Sequence, residues 1–328
     1  MSKAEARLTL EKGTSLWKDA WLRLGKNKLA MAGLSIVLLI CFSCFVLRWF
    51  MPHNPNDVAL QNKFAAPGAL SIAEEGETAH IHLLGTDQLG RDLFTRILDG
   101  GQISLFIAIA ATLLTATIGI IYGAVSGYAG GRIDNGMMRI VDGLLAMPFL
   151  IVVILFRELI SVPIDEAGRF LIGQWNWDRD LVIRFQNLIP LLLAIAAFGW
   201  LTMARIVRTQ TAALRSSEFV EAARSLGLSH TRIIFRHILP NMLGPVIIYA
   251  TLTIPSFILY EATLSFIGLG LEPPNSSWGI LIKEGANYLE TKSSMLIFPA
   301  IIFSATLFSF NFLGDGLRDA LDPKAAKD

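Results

Sequence analysis

The chain has 328 residues, of which 53% are hydrophobic and 17% are charged, and its formal net charge is +1. Soluble domains carry about 25% charged residues. The low charged fraction, with a mean hydropathy of +0.53, therefore indicates a membrane protein rather than a soluble domain. The small net charge gives no sign of a nucleic-acid-binding surface, and we expect no nucleic-acid partner.

The first 28 residues form a basic segment in which apolar side chains recur at helical spacing. The recurring residues are Leu16, Trp17, Ala20, Trp21 and Leu24. This pattern predicts an amphipathic helix on the cytoplasmic surface of the membrane, in contact with lipid. A disordered tail is the alternative. The apolar run that follows is too long for a signal-peptide core, so we predict that it remains as the first span.

Six apolar segments are long enough to cross a bilayer, which takes about 20 residues in a helix. The predicted spans are 29–50, 103–125, 137–160, 188–208, 242–266 and 294–313. An even number of spans puts both termini on one side. Lys and Arg concentrate in the two tails and in the loop after the fourth span, which predicts that this side is cytoplasmic. The predicted fold class is an all-α membrane protein with six transmembrane helices.

Two cysteines, Cys41 and Cys44, lie three residues apart inside the first predicted span. No thioredoxin-like context surrounds them. We interpret them as small packing residues rather than as a redox pair.

The largest predicted extracytoplasmic segment, 51–102, contains HLLGTDQLGRD at His82–Asp92. Its glycines and aspartates predict tight turns. We favour a structural turn that closes the outer mouth, with contact to a soluble donor protein as the alternative. His80 and His82 could ligate a metal on an extended strand, but two ligands without a third do not make a site, and no metal site is predicted.

The second span carries a small residue at every fourth position. The series is Ala111, Thr115, Gly119, Gly123, Gly127 and Gly131. Small residues let helix backbones approach closely inside a membrane. The series predicts a packing seam, either within this chain or with a partner subunit, and its spacing does not distinguish the two.

Several prolines and two acids lie within the later spans. The prolines, which predict bends in the helices, are Pro148, Pro190, Pro245, Pro255 and Pro299. Asp142 and Glu261 fall near the ends of their spans, where we favour a structural role over gating or substrate contact. The sequence holds no relay of acids and histidines of the kind that a proton-driven carrier uses. After the fifth span, Trp278 is predicted to anchor the chain at the membrane interface.

The loop after the fourth span, 209–240, is polar and basic between apolar runs, and its Glu221–Asn241 part reads EAARSLGLSHTRIIFRHILPN. We predict that Gly227 ends a first short helix in a left-handed cap. Ser229 is predicted to cap a second helix, which Pro240 is predicted to end. A bent amphipathic hairpin of this kind suits docking into a groove on a soluble partner.

This loop resembles the EAA signature of permease subunits of ABC importers. Six residues match in register, namely Glu221, Ala222, Ala223, Gly227, Leu239 and Pro240, whereas His237 stands at the position that the family pattern gives to Ile. The resemblance implies that these six residues form a coupling site for an ATP-hydrolysing subunit. An ordinary interfacial helix pair is the alternative.

Four further stretches resemble one subgroup, the second (C-type) permease of dipeptide and oligopeptide ABC importers. They are GTDQLGRD, GYAGGRIDNGMMRIVDGLLAMP, ATLSFIGLGLEPPNSSWGILI and NFLGDGLRDALDPK. The resemblance implies a type I ABC importer permease fold with cytoplasmic coupling helices in the inner membrane. It also implies a second homologous permease subunit as heterodimer partner, two ATP-binding subunits and an extracytoplasmic solute-binding protein.

The predicted organisation has five parts. These are a cytoplasmic amphipathic segment (1–28), a first transmembrane helix (29–50), an extracytoplasmic segment (51–102), a permease core (103–313) and a cytoplasmic tail (314–328). No phosphate-binding GxxxxGK[ST] loop occurs, so we expect no enzyme activity, no cofactor and no catalytic residues in this chain. Substrate-binding residues are not identifiable. Uptake of nickel, glutathione or oligosaccharides by the same subgroup remains open, as do a secondary carrier and a membrane scaffold.

Overall fold

The computed structural model describes residues 16–72 and 80–321, and the rest of both predicted tails lies outside the described residues. The described chain is mainly helical. Its helices are α1 Leu16–Lys26, α2 Lys28–Phe45, α3 Leu93–Ala129, α4 Gly131–Leu145, α5 Phe149–Trp175, α6 Arg179–Arg215, α7 Glu218–Ser225, α8 His230–Ile233, α9 Leu239–Phe266, α10 Trp278–Ala286 and α11 Ser294–Leu321. The all-α fold class is confirmed. Between α2 and α3, two-residue strands β1 (Ala69–Leu70) and β2 (Ile81–His82) pair antiparallel.

Five helical segments of the described chain are long and apolar enough to cross a membrane. They are Lys28–Phe50, Leu93–Ala129, Arg179–Arg215, His230–Phe266 and Ser294–Leu321. A sixth span results if the bent pair α4 and α5 is counted as one. Six spans therefore agree with the sequence-based count.

The third span, predicted over 137–160 with a bend at Pro148, is bent at that residue. The chain bends by 92° between α4 and α5. The break falls at Pro148, which lies at the N-cap of α5 with an extended backbone. Proline disfavours a helical conformation for the residue before it, so the helix must end and restart there. The other predicted proline bends do not break their helices, since Pro190 and Pro299 lie inside continuous helices.

Helices α3 and α6 each contain 37 residues and extend well past their predicted spans. A helix of that length measures about 55 Å at 1.5 Å per residue, whereas the hydrocarbon core is about 30 Å thick. Helix α3 begins at Leu93, inside the predicted extracytoplasmic segment. On α6, the extra turns shorten the predicted loop 209–240, which now starts after Arg215.

The small-residue seam of α3 packs against α6 within this chain. A Cβ added to Gly119 would lie 2.7 Å from Met203 Cβ, and one added to Gly127 would lie 2.5 Å from the carbonyl oxygen of Arg208. A Cβ on Gly123 would collide with the carbonyl oxygen of Ala204. The structure thus assigns these seam positions to packing inside the chain, the alternative that the spacing alone left open.

A buried polar cluster joins α3, α9 and α10 at one end of the core. Glu261 is fully buried, and the hydroxyls of Ser104 and Ser265 each donate to its carboxylate at 2.8 Å. Trp278 is also fully buried and donates from Nε1 to the carbonyl oxygen of Ile97 at 3.0 Å. The prediction of Trp278 as an interfacial anchor is therefore wrong, and the contacts of Glu261 support its structural role.

The helix predicted in the basic segment is present as α1. Its residues Ala20 and Leu24 are buried in a small cluster with Ala30 and Ala320, so α11 covers part of its apolar face, while Trp21 stays 63% exposed. In α2, the thiol of Cys44 is buried against Gly101 of α3, and both cysteines are free. This agrees with their interpretation as packing residues.

Candidate functional site

The loop after α6 folds into two short helices joined by a left-handed glycine. Helix α7 ends in paired hydrogen bonds, from the Gly227 amide to the Arg224 carbonyl at 2.9 Å and from the Leu228 amide to the Ala223 carbonyl at 3.2 Å. Gly227 has φ +74°. This is the Schellman arrangement, in which a glycine in left-handed conformation ends a helix. The predicted role of Gly227 as a helix end is confirmed.

The inner face of this loop is part of the apolar core. Val220, Ala223, Ile233 and Ile238 are buried in one cluster. The cluster also contains residues of α3, α6 and α9, namely Ala116, Ala124, Tyr128, Met203, Val207, Met242 and Val246. Since buried side chains pack at near-crystalline density, the loop and the ends of these three helices form one rigid unit.

Polar contacts hold the loop to the end of α3. Tyr128 and His230 share a hydrogen bond of 3.0 Å between the phenol oxygen and Nδ1. The guanidinium of Arg224 lies over the Tyr128 ring at 5.2 Å. Arg215, at the end of α6, donates to the carbonyl oxygen of Ala129 at 3.2 Å. These contacts connect both short helices to a single turn of α3.

Two ion pairs attach α4 to α6 close to the loop. Asp134 is buried and accepts from Arg208 Nε at 2.9 Å and from the hydroxyl of Ser126 at 2.6 Å. Asp142 pairs with Arg205, and both of these side chains are about half exposed. For Asp142, this contact supports ion pairing, the structural alternative of the sequence analysis.

The prediction that Pro240 ends the second helix is wrong. After α8 the chain passes through one π-helical turn, Ile234–Ile238, directly into α9, so that His230–Phe266 is a single helical segment. Proline is tolerated at the first turn of a helix, where its missing amide is not needed, and Pro240 lies in that position of α9. The side-chain amide of Asn241 donates to the His237 carbonyl at 2.6 Å. The π turn and the first-turn position of Pro240 let the chain continue from α8 into α9 without a break.

The outer face of the loop is apolar as well as charged. Phe219 and Phe235 are 39% and 58% exposed, and Leu226 is 81% exposed beside Gly227. Sequence analysis missed these three residues because each looks like a core residue of its helix. Glu221 and Arg224 line a polar cavity of about 270 Å³ that extends to Arg215 and Asp134.

Comparison with known proteins places this geometry in a family. The family described as "Binding-protein-dependent transport system inner membrane component" matches residues 118–327, and "N-terminal TM domain of oligopeptide transport permease C" matches residues 15–67. The chain belongs to this family of inner-membrane transport components. It is therefore a multi-pass permease of the inner membrane.

Two curated relatives and one solved structure agree with this family. The permease is 44% identical to the oligopeptide transport system permease protein OppC of Haemophilus influenzae, over 95% of this chain and 90% of that protein. It is 40% identical to the dipeptide transport system permease protein DppC of Bacillus subtilis, over 94% and 86%. An inward-facing structure of the MetNI methionine ABC transporter matches with a TM-score of 0.50 and 17% identity, covering 69% of this chain and 96% of that one. That likeness concerns the fold, and the predicted ABC importer permease fold is confirmed.

The permease presents its six predicted coupling residues in two groups. Glu221, Ala222 and Gly227 are exposed together on the outer face of the loop, whereas Ala223 is buried beneath them. Leu239 is half-buried and Pro240 is exposed at the start of α9. The first group can contact a partner directly, while Ala223 holds α7 against the core.

On the opposite side of the membrane, the permease carries a buried ion network in the GTDQLGRD stretch. Asp87 is fully buried and accepts from Arg91 Nε at 2.7 Å and from Arg96 at 2.6 Å. Arg96 also donates to Glu284 of α10 at 2.6 Å. Buried charges with several partners indicate a fixed structure, which supports the structural-turn interpretation of this stretch.

Beside this network, the permease brings three potential metal ligands together. A side-chain nitrogen of His53, one of His82 and a carboxylate oxygen of Asp92 lie within 4.8 Å of one another. Sequence analysis found no third ligand for the His80 and His82 pair, because His53 lies far from them along the chain. Burial lowers the pKa of His53 below its ordinary value, which favours the neutral imidazole, although the nearby Asp92 carboxylate opposes this shift.

Proposed function

We propose that this permease forms half of the translocation pathway of an ATP-driven ABC importer for peptides. One observation carries the proposal: the exposed surface around Glu221 and Gly227 is built on an apolar cluster shared with α3, α6 and α9. A partner that docks on that surface and moves can therefore displace the membrane-spanning helices. The names of the curated relatives support peptides as the substrate class.

The geometry suggests how force would reach the spans. Two ATP-binding subunits on the cytoplasmic side would hold α7 in a cleft and move it as they close on ATP. Because Val220 and Ala223 share one buried cluster with residues of α3 and α6, we expect a shift of α7 to displace those helices. Moving a two-state equilibrium from 1:99 to 99:1 takes about 5.5 kcal/mol of differential binding. We propose that the differential binding energy of the ATP-binding subunits acts on the spans through this loop.

The proposal assigns separate roles to the partners. ATP hydrolysis belongs to the ATP-binding subunits, and no covalent step occurs in this chain. A second homologous permease completes the pathway as a heterodimer, and an extracytoplasmic solute-binding protein delivers the substrate. Both termini lie in the cytoplasm, on the same side as the coupling loop. The Lys and Arg distribution between the spans supports this orientation.

Co-purification tests the coupling part of the proposal. The permease is extracted from its native membrane in mild detergent, captured through a tag, and assayed for co-purifying ATPase activity. Wild type is expected to bring down an ATP-hydrolysing subunit, and Glu221→Lys is expected to weaken that association. A permease that purifies alone and without activity in several detergents would contradict the proposal.

Uptake into membrane vesicles tests the substrate and the energy source. Labelled di- and oligopeptides are supplied with the solute-binding protein, and unlabelled nickel complexes, glutathione and oligosaccharides compete. Peptide uptake should stop when ATP is depleted and persist when only the proton gradient is collapsed. The opposite pattern would indicate a secondary carrier, and inhibition by one of the other solutes alone would change the substrate class.

A further inference from the structure

A cluster of histidines lies where the segment after α2 folds back on the start of α3. The Ala59 amide donates to the Leu89 carbonyl at 3.1 Å, and the Phe64 amide donates to the Asp87 carbonyl at 3.1 Å. These bonds fix the fold-back. They bring His53, from the end of the first span, beside β2 and the N-terminus of α3.

The rings in this cluster contact one another closely. The His53 and His82 rings are stacked with centroids 4.6 Å apart. The His80 ring meets the edge of His53 at 5.5 Å. All three histidines and Asp92 line one polar cavity of about 460 Å³. Such a cavity gives water and a hydrated ion access to the rings.

Asp92 fixes the orientation of His82. Its Oδ1 accepts from the Thr95 amide at 2.8 Å as the N-cap of α3, and its Oδ2 accepts from His82 Nδ1 at 2.9 Å. His82 and Asp92 are both nearly fully buried. A carboxylate that binds one ring nitrogen sets the tautomer and leaves the other nitrogen with an open lone pair, as in many metal-bound histidines.

Two ring nitrogens of this cluster have no hydrogen-bond partner among the described residues. Nε2 of His53 and Nε2 of His82 are both buried and unpaired within the described part of the chain. A buried polar atom left unpaired costs about 1–3 kcal/mol. One ring nitrogen of His53, one of His82 and a carboxylate oxygen of Asp92 lie within 4.8 Å of one another, so a single ion bound between them would contact all three residues.

We propose that His53 and His82 bind one divalent transition-metal ion, each through a ring nitrogen, with water completing the site. Asp92 acts as the positioning residue for His82. Imidazole ligands suit Zn²⁺, Ni²⁺ and Cu²⁺, whereas Ca²⁺ and Mg²⁺ require oxygen ligands. Zn²⁺ accepts a tetrahedral site with nitrogen ligands and is the ion with which the site is tested.

The bound ion would link three elements that are distant along the chain. His53 follows the first span, His80 and His82 flank and form β2, and Asp92 caps α3. The ion therefore fastens the extracytoplasmic fold-back to the core at the end opposite the coupling loop. This inference is independent of the transported substrate and of the coupling proposal.

Zinc titration of the full permease tests the site. The protein is purified in detergent without a polyhistidine tag, treated with EDTA, and titrated with ZnCl₂ by calorimetry, with bound zinc measured by mass spectrometry. One zinc per chain is expected. His53→Gln and His82→Ala should each abolish this equivalent, whereas His237→Ala, which removes a histidine of the coupling loop, should retain it.

A fourth variant separates metal binding from general damage to the fold. Asp92→Asn keeps a good helix cap but replaces the carboxylate that holds His82, and losing such a partner weakens metal binding about 10–100-fold. Zinc should also raise the thermal unfolding temperature of wild type and of His237→Ala, but not that of His53→Gln. Absence of stoichiometric zinc in wild type, or zinc binding by His53→Gln equal to wild type, would overturn the inference. If His82→Ala does not fold, His53→Gln decides, because His53 is only half-buried.

Discussion

Gly227→Val offers the sharpest test of the coupling loop, because the structure isolates a single physical effect. Gly227 has φ +74°, and a Cβ added there would meet no atom within 4 Å. The substitution therefore causes no clash, and its only cost is the left-handed backbone. That cost is about 1–2 kcal/mol for an L-residue, and it is higher for a β-branched side chain. The loop is expected to leave the Schellman conformation or to hold it only part of the time.

The backbone strain at residue 227 should reduce the coupling between ATP hydrolysis and peptide uptake. A change of 1–2 kcal/mol shifts an equilibrium by a factor of about 5–30. We expect peptide uptake by vesicles to fall by that factor in Gly227→Val, with the amount of permease in the membrane unchanged. ATP hydrolysis should fall less than uptake, because the ATP-binding subunits remain intact. The measurement is uptake per ATP hydrolysed, normalised to membrane-inserted permease.

Two matched variants control for the strain argument. Gly227→Asn should retain most uptake, since asparagine tolerates the left-handed conformation. Gly136 in α4 has equally open space for a Cβ but no positive φ, so Gly136→Val should behave like wild type. Normal uptake by Gly227→Val would refute the reasoning. An equal loss in Gly136→Val would show that bulk, not backbone strain, is responsible.

Three further predictions concern the loop, the seam and the buried acid. Glu221→Lys should reduce the ATPase activity that co-purifies with the permease at least several-fold. Membrane insertion should stay normal, because the Glu221 side chain is exposed. Gly123→Leu should lower the amount of folded permease, since even a Cβ would collide with Ala204; detergent-extracted yield by size-exclusion chromatography measures this. Glu261→Ala should lower the thermal unfolding temperature in detergent, because two buried serine hydroxyls lose their acceptor. Each unpaired hydroxyl costs about 1–3 kcal/mol. An unchanged unfolding temperature would contradict the structural role of Glu261.

Local signals in the sequence were sufficient for the first half of the loop. A left-handed glycine after a short helix depends on four or five neighbouring residues, so the Gly227 helix end could be predicted. Pro240 shows the limit of the same argument. Proline usually ends a helix, but here Pro240 lies in the first turn of α9 after a π turn, and the helical segment continues. No pattern in the sequence distinguishes that outcome from a break.

Apolar length predicted the number of spans and the prolines predicted bends, but neither predicted how large a bend would be. The 92° bend at Pro148 places α4 across the direction of α5, although both halves are apolar enough to be counted as one span. Likewise, the spacing of Gly119 and Gly127 predicted a seam without naming its partner. Only the fold shows that α6 of the same chain fills it.

The histidine cluster could not be predicted, because its residues are close only after folding. The sequence shows His80 and His82 as a pair, but His53 approaches them only through the hydrogen-bonded fold-back of the segment between α2 and α3. Asp92 was assigned to a turn motif, and its bond to His82 depends on the position of α3. Sites of this kind need tertiary contacts before their chemistry becomes apparent.

The continuity of α8, the π turn and α9 gives the proposed coupling a direct path across the membrane. Ile238, next to the loop, and Glu261, near the other end of α9, are both fully buried. The first packs in the cluster that contains Val220 and Ala223, and the second bonds to Ser104 of α3. A helix fixed at both ends transmits displacement better than a broken one, provided that each end has two discrete arrangements. We therefore expect a movement of the coupling loop to change the hydrogen bonds of Glu261, which lie at the other end of α9 beside α3 and α10.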